Sequence, residues 1–314
     1  MDAIDRVLRS NLKLRHLRLL VALDEYRHLG RASEFLALTQ PAVSRTLAEI
    51  ERAFGLALFV RSPRGTEPTP HGETVVRFAR SVLADFGRTR DELAAVSAGA
   101  AGRTAIGAMA VAVPGLVSRA VERMKARSAQ TTVSVEEGDL SRLLPRLRLG
   151  ELDLFVGRLE PGYSAPDLEP EPLLDEPMCL VVAPGHPLAG RTRLRWRELA
   201  AQRWVMPPPW AASRDKLQQL FWRDGVEPPV DLVETASFLV ALTFVRERGA
   251  IAFWARGVAR AHERLGLVTR LRIEVPIELP PVGTIAIRGR RRTPAAERMA
   301  ECLREAAKAV ARGR

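Results

Sequence analysis

Several residue types are scarce in this chain of 314 residues, and each scarcity excludes a class of protein. The only two cysteines, Cys179 and Cys302, are far apart and lack C-x-x-C spacing, so we expect buried free thiols and no disulfide framework. No stretch approaches about 18 uninterrupted apolar residues, so a transmembrane helix is not expected. The first residues include acidic side chains and no apolar segment, so we expect no signal peptide there.

Residues that build catalytic and metal centres are also sparse. The five histidines are scattered along the chain, whereas a metal site needs ligands that cluster, so no metal is expected. The patterns H-E-x-x-H, P-loop and G-x-S-x-G are absent from the sequence. We therefore predict neither an enzyme nor a bound cofactor.

Lysine is rare, with four lysines against 44 arginines, as expected from the codon usage of a GC-rich genome. The formal net charge of +11 predicts a polyanionic partner such as nucleic acid. Its distribution weakens that argument, because the net charge is +3 over residues 1–100, 0 over residues 101–250 and +8 over residues 251–314. The arginine cluster at 288–292 therefore has two interpretations, a solvated face or an auxiliary surface toward DNA.

Three helical patterns occupy the first part of the chain. The apolar face of the first consists of Leu14, Leu17, Leu20, Val21 and Leu23. The second covers residues 29–36, and the side chains expected to face inward are Ala32, Phe35 and Leu36. The third follows Thr39, a suitable N-cap, with Pro41 in its first turn. Its apolar face consists of Val43, Leu47, Ile50 and Phe54.

Two short helices, a tight turn and a third helix with small polar residues at its start are typical of a helix-turn-helix. The open side of the third helix carries Gln40, Ser44 and Arg45. Gln can bond adenine bidentately, Arg can bond guanine, and Ser can bond a base or a phosphate. The alternative is a solvent-facing helix of an ordinary bundle.

The segment from residue 58 to residue 73 predicts a wing, because a β-rich stretch is followed by a Pro/Gly turn and a capped helix. It carries Arg61 and Arg64, and an arginine on a wing can enter a narrow minor groove. The alternative is a solvated hairpin.

The stretch from Leu14 to Gly72 resembles the DNA-binding domain of the LysR-type transcriptional regulators. The resemblance rests on Thr39-Gln40-Pro41-Ala42-Val43-Ser44-Arg45 and on Leu58-Phe59…Arg61…Arg64-Gly65…Thr69…Gly72. Ser33 and Ala37 depart from the family pattern, where Ala and Gly are usual, and both bear on the geometry of the turn. The resemblance implies that Gln40, Pro41, Ser44 and Arg45 face the major groove. It also implies that Arg61 and Arg64 face the DNA backbone or the minor groove.

One long helix is predicted over residues 69–98, capped by Thr69 and with Pro70 in its first turn. An apolar seam at heptad spacing runs through Val75, Ala79, Val82, Phe86, Leu93 and Val96, with Thr89 in the gap. Such a seam predicts pairing with the same helix of a second chain, which would suit a two-fold symmetric DNA site. The alternative is a helix that packs on its own domain.

From Gly102 onward, short apolar runs alternate with amphipathic helical stretches, which predicts α/β architecture. The predicted strands cover residues 104–108, 133–136, 152–157, 178–182, 203–206, 230–233, 251–254 and 282–287. The predicted helices cover residues 117–127, 140–149, 214–224 and 238–248, with a final helix after Pro294.

The runs at 150–157 and 183–188 resemble the effector domain of the same family, in which two α/β subdomains related to periplasmic binding proteins enclose a cleft. The predicted organisation is a winged helix-turn-helix at 1–68, a linker and dimerisation helix at 69–98, and an effector-binding domain at 103–314. Subdomain I is expected at about 103–180 and 282–314, and subdomain II at about 181–281. The chain would cross twice between them, which would allow hinge motion.

Loops that follow the strands should line this cleft. The candidates are Met109, Ala110, Val111, Asp139, Pro209, Trp210, Ser213, Thr235, Ser237 and Trp254. Ser213 and Ser237 have an alternative role as helix caps, and Trp254 as a core residue. The segment Pro207-Pro208-Pro209 resembles a branch of the family that controls sugar or aromatic-acid catabolism.

The sequence thus predicts a cytoplasmic transcription regulator that binds a palindromic DNA site as a homodimer or homotetramer and has no membrane association. The resemblance implies control by a small-molecule effector and contact with RNA polymerase. One rival hypothesis is a DNA-binding repressor with a degenerate cleft that senses no ligand. Another is a solute-binding protein or enzyme with a fortuitous helix-turn-helix.

Overall fold

The computed structural model of the protein describes Val7 and residues 12–62, 65–97, 102–161 and 165–312. The chain divides into two compact units. The first spans Met1–Ala100 with Pro145–Leu152, and the second spans Ala101–Leu144 with Asp153–Arg314. In the described part of the chain, every helix is too short or too polar to span a membrane.

The first unit begins with three helices, namely α1 (Leu14–Tyr26), α2 (Leu29–Phe35) and α3 (Gln40–Phe54). Their buried apolar side chains form one core with Leu58 and Phe59. Two expectations about that core are wrong. Leu14, at the first position of α1, is 42% exposed, and Phe35 is 65% exposed. Leu36 packs against the core in place of Phe35, whose ring centroid lies 5.2 Å from that of Tyr26.

The turn between α2 and α3 is left-handed at Ala37, whose φ is +53°. The Ala37 amide donates to the Glu34 carbonyl, and the Leu38 amide donates to the Ser33 carbonyl. The buried Ser33 hydroxyl donates to the Gly30 carbonyl at 2.7 Å, so no polar group of Ser33 is left unbonded there. Both departures from the family pattern therefore fit the turn, although Ala37 has a steric cost that glycine would avoid.

The predicted wing is an antiparallel hairpin of β1 (Phe59–Ser62) and β2 (Gly65–Pro68). Glu51 of α3 accepts hydrogen bonds from the amides of Leu58 at 2.8 Å and Phe59 at 3.0 Å. The Thr66 amide donates to the Arg27 carbonyl at 2.8 Å. A Cβ at Gly65 would lie only 2.5 Å from that carbonyl oxygen, so glycine permits this close approach. The hairpin is thereby fixed to both α1 and α3.

The long helix α4 covers Pro70–Ser97. Thr69 caps it as predicted, because its hydroxyl oxygen accepts from the Gly72 amide at 3.1 Å and also donates to the Ala57 carbonyl at 2.8 Å. A Cβ at Gly72 would lie 1.9 Å from the Leu58 carbonyl oxygen. The start of α4 therefore depends on glycine at this position.

The strands of the second unit follow in chain order. They are β3 (Arg103–Ala108), β4 (Thr132–Glu137), β5 (Leu154–Arg158), β6 (Leu168–Leu174), β7 (Met178–Val182), β8 (Trp204–Met206), β9 (Leu232–Glu234), β10 (Ile251–Ala255), β11 (Thr269–Arg270) and β12 (Val282–Ile287). The helices after α4 are α5 (Ser118–Arg127), α6 (Leu140–Leu149), α7 (Trp196–Ala200), α8 (Ala212–Arg223), α9 (Phe238–Arg248), α10 (Arg256–Arg264) and α11 (Pro294–Arg312). A short turn, Ala110–Ala112, and a wider one, Val113–Val117, lead into α5.

These strands form two five-stranded mixed sheets, ordered β4-β3-β5-β12-β6 and β11-β7-β10-β8-β9. In the first sheet β3 is parallel to β4 and β5, and β12 is antiparallel to β5 and β6. In the second, β10 is parallel to β8 and antiparallel to β7. Each sheet has its own apolar core. The predicted α/β fold with two sheet-based halves is confirmed.

The chain passes from the first sheet to the second after Leu174 and returns before Val282. Strand β7 lies wholly in the second sheet, where Met178 pairs with Ala255. The expected subdomain boundary near residue 180 is therefore too late, since it would divide this strand. Strand β6 was not predicted because its sequence, LEPEPLL, contains two prolines, which a strand tolerates at a sheet edge.

Both cysteines are buried free thiols, as expected. Burial raises the pKa of the Cys179 thiol to about 12 and also raises the pKa of Cys302. Thiolate is the reactive form of cysteine, so neither side chain is poised as a nucleophile.

Candidate DNA-reading surface and effector cleft

The outer side of α3 carries the residues predicted to contact DNA. Gln40, Pro41 and Arg45 are exposed, and Ser44 is half-buried. Thr39 occupies the N-cap position with extended backbone, but its side chain makes no capping hydrogen bond to the helix. The buried face of α3 consists of Val43, Leu47, Ile50 and Phe54, as predicted. The apolar face therefore holds α3 on the core while the polar side chains face outward.

The wing reaches this surface through Arg61. Its Nη2 atom donates to the Ser44 hydroxyl oxygen at 2.8 Å, which brings two of the predicted DNA-contacting residues together. A guanidinium from the hairpin is thus placed beside the small polar residues at the start of α3. Arg64 lies outside the described residues, so its contact with DNA stays a prediction.

The first turns of α4 pack on their own unit. Ala79 is fully buried, and Val75 is half-buried against the core of the first unit. Arg80 forms an ion pair with Asp24 of α1 at 3.0 Å. Ala79 is therefore not accessible to a dimerisation seam, whereas the place of Val75 in that seam stays a prediction.

Other apolar side chains of α4 remain at the surface. Phe78 is 41% exposed, Phe86 46% and Leu93 64%, while Val82 is half-buried. These four positions follow steps of 4, 4 and 7, so they share one face of the helix. That face includes Phe78, which the predicted seam did not.

The second unit contains a cavity of about 290 Å³ between the carboxyl ends of its strands. Seven of the ten predicted effector residues line it, namely Met109, Ala110, Val111, Asp139, Trp210, Ser213 and Trp254. A Cβ at Gly157 would lie 2.6 Å from Phe155 Cζ and 2.7 Å from the Met109 side chain, so both side chains would have to shift. We call this cavity the cleft.

Three of the predicted residues, Pro209, Thr235 and Ser237, do not line the cleft. Ser237 caps α9, where its hydroxyl accepts from the Val240 amide at 3.4 Å. The Ser237 amide in turn donates to the Thr235 hydroxyl oxygen at 3.0 Å. Their side chains therefore satisfy the backbone at the start of a helix, whereas Ser213 lines the cleft and is not the cap of α8.

Arg158 is a lining residue that the sequence prediction missed. It is 6% exposed, and its guanidinium donates to the carbonyls of Pro280 at 2.9 Å and Glu176 at 2.7 Å. Burial lowers its pKa to about 10, against the opposing effect of Glu176 and Glu160. Pro280 and Glu176 belong to the two segments that connect the sheets, so Arg158 joins both crossings at the cleft.

Asp139 stands just before α6 at the edge of the cleft. Its carboxylate accepts from the Ser141 hydroxyl and from the Arg142 amide, and these two bonds lower its pKa. The carboxylate is therefore ionised at neutral pH and holds the first turn of α6.

Aromatic side chains form much of the remaining wall. Trp254 is 7% exposed and belongs to the core of the second sheet, where its ring centroid lies 4.6 Å from that of Phe238. Trp254 is therefore a core residue that also lines the cleft, and its contact with an effector stays a prediction. Trp210 is exposed and lines the same cleft.

Comparisons with known proteins match both units. Residues 14–73 match the family described as bacterial regulatory helix-turn-helix protein, lysR family, and residues 97–308 match the LysR substrate binding domain. The chain belongs to the LysR family. It is therefore a DNA-binding transcriptional regulator and not an enzyme.

Individual relatives agree with this. The HTH-type transcriptional regulator GbpR of Azospirillum brasilense is 32% identical over 95% of this chain and 88% of its own. The regulator GalR of Pseudomonas putida is 29% identical over 93% of this chain and 73% of its own. Full-length CbnR, solved with its target DNA, has the same fold, with a TM-score of 0.69 at 21% identity over 94% of this chain and 100% of that one.

For this LysR-type regulator, two of the missed cleft residues follow a simple rule. Arg158 and Glu160 come directly after a predicted strand that ends at Gly157, at the same kind of position that selected Met109 after β3. The end of this predicted strand therefore carries the same signal as the end of β3. Within the described residues, no group of three His, Cys, Asp or Glu side chains could hold a metal ion.

Proposed function

We propose that a small molecule bound in the cleft controls DNA binding by this regulator. The observation that carries the proposal is a preformed cavity of about 290 Å³, walled by apolar and aromatic side chains with few polar groups among them. Such a lining is typical of small-molecule sites, in which the polar groups fix the orientation of the ligand. Here the polar groups are Asp139, Ser141, Arg158, Glu160 and Ser213.

The ligand class we propose is a sugar or an aromatic acid. The exposed Trp210 offers a flat face for a sugar or aromatic ring, and Ser213 offers a hydroxyl on the same cavity. Arg158 contributes positive charge at the base, although two of its donors are already used by carbonyls. Binding would act on the two crossings between the sheets, because Arg158 contacts both.

On DNA, we propose a dimer that reads a palindromic site and a tetramer formed by two such dimers. The exposed apolar face of α4, with Phe78 and Phe86, is the surface for pairing with a second copy of the helix. Gln40, Ser44 and Arg45 would read bases, and Arg61 would contact phosphate or the minor groove. We propose that it acts in the cytoplasm, where bacterial DNA and RNA polymerase are found.

Thermal-shift screening tests the control by a ligand. A sugar or aromatic acid present at about one hundred times its Kd should stabilise the protein by about 2.7 kcal/mol, because it binds only the folded state. Trp210→Ala should abolish the shift, while Trp222→Ala, which removes an exposed tryptophan outside the cleft, should retain it.

The rival hypothesis is a repressor whose cleft binds nothing. It would be favoured if no compound of either class stabilised the wild-type protein while DNA binding remained normal. A shift that survived in Trp210→Ala and vanished in Trp222→Ala would move the ligand to another site.

A further inference from the structure

We infer that the second unit holds a second site, for a small multivalent anion, which goes beyond the proposed effector cleft. A cavity of about 440 Å³ lies beside the turn Val113–Val117 and α10. Its charged lining consists of Arg119, Arg256, Arg260, Arg264, Arg270, Glu176 and Glu263. Five arginines against two glutamates give the lining a formal charge of +3. We call this cavity the basic cavity.

Four of these arginines are not neutralised locally. Within the described residues, the side chains of Arg119, Arg256, Arg260 and Arg264 form no hydrogen bond and no ion pair with another side chain. Arg270 differs, because its Nε atom pairs with Glu263 at 2.8 Å. Guanidinium groups that surround one concavity and are not paired with a carboxylate favour a bound anion, since each presents several donors.

The two glutamates of the lining form hydrogen bonds within the walls of the cavity. Glu176 is 7% exposed and accepts from the Gly257 amide at 2.7 Å, which ties it to the first turn of α10. Glu263 accepts both from Arg270 Nε and from the Arg270 amide at 3.1 Å. Both carboxylates therefore hold the walls of the cavity and leave the four other guanidinium groups to a ligand.

Helix α10 builds this cavity by its periodicity. Arg256, Arg260 and Arg264 are spaced four residues apart, so they lie along one face of the helix. Val258 lines the effector cleft from another face of α10. Val111 lines both cavities, so the two sites are adjacent but differ in chemistry. One is mainly apolar, and the other is basic.

The occupant we infer is a small molecule with two or more negative charges, either a phosphate ester or a polycarboxylate. The volume is within the range of about 300–1,000 Å³ that is usual for small-ligand sites. A nucleic-acid backbone is extended and needs a long surface or groove that it can follow. A bounded cavity therefore favours a compact anion. This assignment also gives a role to part of the +8 charge of residues 251–314.

Isothermal titration calorimetry of the full-length chain, without DNA and at constant ionic strength, tests this inference. The probes are inorganic pyrophosphate and citrate. We expect at least one to bind the wild type, and the double variant Arg256→Gln/Arg260→Gln to bind it at least about tenfold more weakly, because two charge-assisted contacts are lost. Arg223→Gln is the matched control, since Arg223 is an exposed helical arginine outside the cavity, and it should bind like the wild type.

Trp210→Ala separates this site from the effector cleft and should leave anion binding unchanged. The inference is overturned if neither probe binds the wild type, or if Arg223→Gln weakens binding as much as the double variant. It is also overturned if Trp210→Ala abolishes the binding, because the anion would then occupy the cleft. If the wild-type protein binds the anion but no sugar or aromatic acid shifts its thermal unfolding, only the function proposed above is contradicted.

Discussion

The two units of this regulator build their functional surfaces in opposite ways. The predicted DNA-reading surface is mostly continuous in sequence, since Thr39, Gln40, Ser44 and Arg45 lie at the start of α3 and Arg61 joins them from the wing. The cleft collects residues from six or more segments, from Met109 to Pro280. A local surface depends on one helix being held in place, whereas a convergent cavity depends on the packing of two sheets.

Two arginines illustrate the difference. Arg61 is exposed, contacts one hydroxyl of α3 and remains open to a partner. Arg158 is buried, and its guanidinium donates to carbonyls of both segments that connect the sheets. We therefore expect substitutions at exposed positions such as Arg61 to alter binding to a partner. Substitution of Arg158 at the base of the cleft should instead alter the stability of the fold. Substitutions in the two units test that contrast, and the largest effect is expected in α4.

Phe86→Asp should abolish dimerisation, because an ionised carboxylate would enter the apolar face between two copies of α4. Light scattering would report a monomer, while circular dichroism would show unchanged helical content. Arg77→Glu, which adds a negative charge on another side of the same helix, should leave the oligomer intact. An unaltered oligomer in Phe86→Asp would mean that α4 is not the interface.

Arg158→Met should destabilise the second unit by about 3 kcal/mol, because two charge-assisted hydrogen bonds are lost and two carbonyls are left without this donor. Urea unfolding measures the change. Arg203→Met removes a surface ion pair with Asp231 and should cost about 1 kcal/mol or less. Equal losses in both variants would remove the distinction between buried and exposed arginines.

Arg45→Ala should weaken operator binding by about 1–3 kcal/mol and relax sequence specificity, because a base contact is lost. Gel-shift titrations against cognate and scrambled DNA measure both quantities. Arg52→Ala, at the far end of α3, is the control and should preserve specificity. If Arg45→Ala retains wild-type affinity and selectivity, α3 does not read bases through this residue.

Arg61→Ala should weaken binding to all sequences and lower the slope of log K against log salt by about one unit, because one phosphate contact is lost. Arg61→Lys should largely keep the slope, since it keeps the charge. Unfolding should change by less than about 0.5 kcal/mol, as expected for a surface substitution. An unchanged slope in Arg61→Ala would argue against contact by the wing.

Ala37→Gly should stabilise the first unit by roughly 0.5–1 kcal/mol, because glycine adopts the left-handed conformation without a Cβ clash. Thermal unfolding measures the gain. Ala48→Gly, in the middle of α3, is the matched control and should cost about 1 kcal/mol. Destabilisation in both variants would show that the turn gains nothing from glycine.

Much of the local structure could be predicted from the sequence. Helix α6, helix α9 and strands β7 and β12 have the predicted limits, because each is a periodic or apolar run with clear ends. Helices α7 and α10 were missed. Helix α10 carries three arginines, a histidine and a glutamate in nine residues, so its pattern is dominated by polar side chains, and α7 has only five residues. In the cleft, the rule that strand ends line the site found Met109 and Trp210 but was not extended to Arg158.

The sequence by itself determined the family, the helix-turn-helix and the outward-facing residues of α3, because these depend on contacts between near neighbours in the chain. Only the tertiary structure decided which apolar side chains of α4 are buried, that Ser237 caps a helix and does not line the cleft, and that Arg158 joins two distant segments. It also decided that Arg119, which is distant in sequence, lines the same cavity as the three arginines of α10. Burial and charge pairing at these positions depend on contacts between residues far apart in sequence, which no local pattern records.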